Sequence, residues 1–168
     1  MFNTRIFLLS LVILGACSAD QTANYAVHQI MKIVEIAVDR QEISPLLYLL
    51  DPSFNYTMCG YEGNVKTFKG YLENQLENIM DIKFLVDYDN ADVVRNGNLE
   101  TLKFNVDTTT LYKDRSRVEG GAVVTAIREK YSANFYISHI YQRCRVTSKR
   151  HHRLYRLFTN ENLYDYKK

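Results

Sequence analysis

The stretch "LLDPSFNYTMCGYEGNVKTFKGYL", Leu49 to Leu72, changes its hydrophobic period midway, and that change decides how the chain folds. Phe54 to Met58 alternates apolar and polar residues, which predicts a short strand, and Gly60 predicts the turn that ends it. Asn64 then opens a helical pattern in which Phe68, Tyr71, Leu72, Leu76 and Ile79 share one face. A helix is expected over Val65 to Met80 with Asn64 as its N-cap. Gly70 either weakens that helix by about 1 kcal/mol relative to alanine or marks a close contact.

Upstream, Ala26, Val27, Ile30, Ile33, Val34, Ala37 and Val38 recur at helical spacing between Thr22 and Arg40 and predict one buried stripe. A shorter helix is expected from Ser44 as N-cap and Pro45 as first helical residue, ending near Asp51-Pro52. Downstream of Met80 the period becomes two. Phe84, Val86 and Tyr88 alternate with polar neighbours, and beyond Asn96-Gly97-Asn98 so do Leu102, Phe104 and Val106. Further strands are expected over Val118 to Tyr131 and Ala133 to Val146, joined by short polar turns as an antiparallel meander. Gly120-Gly121 inside the first of them predicts a bulge or bend. In "AVVTAI" and "NFYISHIY" both faces carry apolar residues, so one face should cover helices and the other a partner or second subunit.

The N-terminus carries targeting information. A short, weakly basic start precedes the apolar run Ile6 to Ala16, whose length suits a signal peptide rather than the roughly 20 residues of a membrane span. Cleavage is expected after Ala19, which makes residues 1–19 the signal peptide and the mature protein secreted and extracellular. Leu14-Gly15-Ala16-Cys17 also fits the lipobox of bacterial lipoproteins, which would anchor the chain at Cys17. Asn55-Tyr56-Thr57 is an N-glycosylation sequon, meaningful in a eukaryotic secretory context, with Asn55 as acceptor. Without Cys17, Cys59 and Cys144 form an even pair in an oxidising compartment, where a disulfide is expected. It would close a loop of about 85 residues, an effect of roughly 4–5 kcal/mol in chain-entropy models.

The chain has 168 residues and a net charge of +2, which excludes a whole-surface nucleic-acid binder. The charge is unevenly spread. Seven Lys or Arg (Arg145, Lys149, Arg150, Arg153, Arg156, Lys167, Lys168) face only Glu161 and Asp165 in the C-terminal segment. Lys149, Arg150, Arg153 and Arg156 are therefore candidate contacts for a glycan or anionic lipid.

The element order, together with Leu49 to Leu72, resembles the secreted nuclear transport factor 2-like domain proteins of nematodes. Those proteins share a phenylalanine, then a cysteine-glycine pair as in Cys59-Gly60, then a helix opening with a phenylalanine as in Phe68. A second cysteine ends their last strand, where Cys144 stands, and the resemblance spans about Tyr25 to Val146. It implies an α+β cone, three N-terminal helices packed on a strongly curved antiparallel sheet, over residues 20–147, and residues 148–168, a basic tail by their charge, extend beyond that family's pattern. It also implies the Cys59–Cys144 disulfide and a signal peptide, and it brings no catalytic site with it.

Catalytic chemistry has one weak candidate. Some enzymes of this superfamily use a carboxylate, tyrosine or histidine inside the cone. His139, read on the same side as Phe135, Ile137 and Tyr141, would be the base of an isomerase- or dehydratase-type enzyme, with Tyr88 within reach and Asp107 facing away. His151-His152 are adjacent and lack a spaced third ligand, so no metal is expected, and no cofactor motif occurs. The resulting expectation is a non-enzymatic binding or interaction module. It would hold a small apolar ligand in the cone or a protein partner, with a homodimer through the outer sheet face.

Overall fold

The structure, a computed structural model, describes residues 23–58 and 61–143. The expectations for residues 1–19, Cys17, Cys59, Cys144 and the tail 148–168 lie outside the described residues. The chain begins with α1 (23–39) and the single-turn α2 (Ser44–Tyr48), then enters a hairpin of β1 (Leu50–Met58) and β2 (Tyr61–Asn64). Helix α3 (Val65–Asn78) follows, then β3 (Ile79–Asn96), β4 (Leu99–Tyr112), β5 (Arg117–Glu129) and β6 (Tyr136–Arg143). All six strands join one sheet in the order β2-β1-β6-β5-β4-β3.

Two features depart from the sequence expectation. The third helix is preceded by a β-hairpin, so the helices do not form one N-terminal block. The sheet is antiparallel except where β1 pairs parallel with β6, from Leu50↔Ile137 to Met58↔Gln142. A parallel pair needs a long crossover, here the whole of β2 to β5, and no local pattern announces it.

The core lies between α1, α3 and the inner sheet face. Ala23, Ala26, Val27, Ile30 and Met31 of α1 pack with Leu102, Phe104 and Val106 of β4, and with Val124, Ala126 and Ile137. The β4 alternation is borne out: Leu102 and Phe104 are almost wholly buried. On α1 the stripe is rotated slightly, with Met31 buried and Ile33 exposed. Phe68 of α3 closes the hairpin end, 5.0 Å from Phe54 and 5.2 Å from Tyr56 between ring centroids.

Helix α3 starts where the sequence predicts. The Asn64 side chain accepts from the backbone N–H groups of Lys66 and Thr67, and Thr67 Oγ1 accepts from Asn64 N at 3.0 Å, a reciprocal capping box. Asn64 and its neighbour Gly63 also end β2. A Cβ on Gly63 would meet Thr67 Oγ1 and the Tyr56 ring at about 2.5 Å or less, so the ring lies directly over the glycine. Helix α2 differs from expectation: Ser44 is its first helical residue, Ile43 precedes it, and no side chain caps it.

Bulges fall elsewhere than expected. The β4–β5 register runs without a break past Gly120 and Gly121, so these glycines make no bulge. They leave room for the side chains of Thr108 and Asp107 across the ladder, the latter 2.6 Å from where a Gly121 Cβ would stand. The irregularities lie in β3 between Ile79 and Asp81 and between Asp87 and Asp92, and on both flanks of Ser138. Along β6, Ile137 pairs with Ala126 and His139 with Thr125, leaving Ser138 as the extra residue. On the other flank β1 departs from β6 between Leu50 and Asn55. Pro52, which has no N–H to offer a ladder, occupies that departure, and Ser53 N bonds Asp51 Oδ1 at 2.8 Å instead.

Candidate functional site

The Ser138 bulge decides where the candidate histidine points. Ile137 and Ile140 both contact the core, although they are three residues apart, because the extra residue slips the alternation by one. His139 is thereby turned to the outer face, where it pairs in register with Thr125 and Asn55 and its Nε2 lies 3.3 Å from Thr57 Oγ1. The expectation that His139 shares a side with Phe135 and Ile137 is corrected: those two are buried inside and His139 is not. Asp107 is exposed on the outer side, as expected, and Tyr88 sits exposed in the β3 bulge.

Inside the fold, the polar groups come from residues that the sequence reading passed over or treated as packing. Tyr112 donates to Gln75 Oε1 at 2.8 Å, bridging β4 to α3, and Tyr56 donates to Thr67 Oγ1 at 3.2 Å. Tyr71 lies between these pairs: burial, with Tyr112 and then Tyr56 nearby, pushes its phenol well above the usual range. Burial, with Asp114 nearby, also pushes the Tyr112 phenol up. Both phenols stay protonated across the physiological range, so they act as neutral hydrogen-bonding groups and not as bases.

A second interior group closes the opposite end of β4. Glu100, with its side chain only 7% exposed, accepts from Arg95 Nε at 2.7 Å and from Arg128 Nε at 2.6 Å. Arg128 also lies over the Phe135 ring, 4.3 Å from its centroid. Burial opposes ionisation of Glu100, but the hydrogen bonds from Arg128 and Arg95, with their charges, outweigh it and hold the carboxyl below the usual range. These partners engage both carboxylate oxygens, and the arrangement reads as a structural clamp.

Among the described residues an open cleft lies at the sheet edge. A cleft of about 410 Å³ is lined by Glu35, Val38 and Asp39 of α1 and by Ile82, Lys83 and Phe84 of the edge strand β3. Phe84, on the apolar side of the cleft, packs against the core cluster. Glu35 and Asp39, one helical turn apart, supply a negative rim, and Lys83 a positive point opposite. Ile82 pairs in register with the buried Thr110, one strand in from the edge. Among the described residues no group of three or more His, Cys, Asp or Glu is arranged to hold a metal ion.

No family model matches the chain, and no curated protein matches it. Solved structures do. One from Novosphingobium aromaticivorans, provisionally described as a scytalone dehydratase, superposes with a TM-score of 0.61 at 11% identity, covering 79% of this chain and 90% of that one. Another, from Streptomyces avermitilis and provisionally described as a dehydratase of the NTF2-like family, gives 0.56 at 11% identity, covering 76% and 99%. A nuclear transport factor 2-like superfamily protein from Salmonella enterica gives 0.55 at 9% identity, covering 77% and 96%. At such identities the likeness concerns the backbone alone, and on that basis the chain has the fold of the nuclear transport factor 2-like superfamily.

Proposed function

We propose that this protein is a secreted, non-enzymatic binding module that holds a small molecule with one apolar and one polar end in the open cleft between α1 and β3. The observation that carries the reading is the cleft itself. Val38, Ile82 and Phe84 supply the smaller, apolar part of its lining, and Glu35, Asp39 and Lys83 the larger, charged part that fixes a polar end of the ligand. Its volume lies within the range of small-molecule sites. Export rests on the apolar run Ile6 to Ala16 and the small-residue site ending at Ala19.

Several structural neighbours are provisionally described as dehydratases or an isomerase. For this chain an enzymatic reading through His139 has no geometric support, because that imidazole faces away from the core and bonds Thr57. A neutral aromatic alcohol such as 2-naphthol suits the cleft as a probe. Its fluorescence should titrate saturably with the native protein, and Val38→Trp, which fills the cleft, should weaken binding at least tenfold while circular dichroism stays unchanged. Equal binding by the native protein and the folded variant contradicts the assignment.

A further inference from the structure

The outer face of the sheet combines two features that cannot both be used in one state of the protein. It is partly apolar: Tyr136 and Tyr141 are 39% and 47% exposed, with half-buried Val123 and Ile127 beside them. It also carries the sequon. Asn55 is exposed on this face, paired in register with His139, and Thr57 is paired with Tyr141. The opposite alternation of β1 sends Phe54 and Tyr56 into the core, so nothing else can turn Asn55 inward.

Two sheets packed face to face lie about 10 Å apart, a gap that interdigitating side chains fill completely. A branched oligosaccharide rooted on β1, one strand in from the β2 edge and beside β6, leaves no room for that packing over this end of the face. We propose that Asn55 carries an N-linked glycan that lies over the outer sheet face and keeps the secreted protein monomeric, with pairing of two such faces possible only when the sugar is absent. The proposal rests on the secretory reading. Attachment is a substitution at the anomeric carbon of a lipid-pyrophosphate-linked oligosaccharide supplied by the secretory membrane. The bond from Asn55 Nδ2 to that carbon forms, the carbon–oxygen bond to the pyrophosphate breaks, the amide gives up one proton, and the lipid pyrophosphate leaves. The glycan then sits diagonal to Tyr141, whose exposed ring offers an apolar surface for a sugar face.

The test uses the full chain expressed in a eukaryotic secretory host. The medium is analysed by intact mass before and after enzymatic removal of N-glycans, and by light scattering at micromolar concentration. Expected are a glycan mapped to Asn55, a monomeric glycoprotein, and a doubling of mass for both the enzymatically deglycosylated protein and Asn55→Gln. Adding Tyr141→Glu to Asn55→Gln should restore the monomer. Export with an unmodified Asn55 overturns this proposal alone, as does a dimeric glycoprotein or a sugar-free form that stays monomeric. Failure of export overturns the secretory reading and this proposal with it.

Discussion

At the scale of single residues, Glu100 shows most clearly how chemistry and position combine. Its carboxylate is held between Arg95 and Arg128 with little access to water, so removing it leaves Arg128 buried without its partner. Glu100→Ala should lower stability by about 3 kcal/mol, read from urea denaturation midpoints. The acid sensitivity follows from the sign of the shift. A carboxyl held below its unfolded value contributes stability that is complete above the unfolded pKa and is lost as pH falls through the folded one. Thermal midpoints should therefore drop as pH falls from about 5 towards 3, and Glu100→Gln should flatten that limb. An unchanged limb in Glu100→Gln would assign the acid sensitivity to other carboxylates.

At the scale of elements, what the sequence discloses depends on how local the determining interactions are. The start of α3 is legible because Asn64 and Thr67 fix it within four residues. The face of β4 is legible because Leu102, Phe104 and Val106 keep strict alternation. The short β2 and the length of β1 are not legible, since partner strands and not local composition stabilise them. The bulge at Ser138 has no glycine or proline of its own; it answers the departure of β1 at Pro52 across the ladder. That one displaced residue moved the candidate base from the inner face to the outer. Gly70 resolves the other way. It lies exposed in α3, and a Cβ there would meet no atom within 4 Å. Gly70→Ala should accordingly raise stability by about 1 kcal/mol, seen as a higher denaturation midpoint with an unchanged slope.

At the scale of the whole molecule, the parallel pairing of β1 and β6 brings distant chain segments together. Met58 immediately precedes Cys59, and its register partner Gln142 stands two residues before Cys144. The disulfide between them remains the expectation drawn from cysteine count and resemblance, and alkylation tests it. The protein recovered from the medium of a eukaryotic secretory host should resist thiol alkylation until reduced, and its intact mass should then rise by two alkyl groups. Two cysteines that alkylate freely before reduction would remove the bridge from the account. The candidate site shows the same limit of local reading. Val38 and Phe84 each stood out as apolar positions on their own element, but only the packing of α1 beside the β3 edge joins them into one cleft with Glu35, Asp39 and Lys83.

The binding claim is tested most directly by backbone amide chemical shifts during titration with 2-naphthol. The account predicts the largest changes at residues 35–39 of α1 and Ile82 to Phe84 of β3, where the cleft lies. Changes confined to the outer sheet face around Val123, His139 and Tyr141, with the cleft residues still, would contradict it.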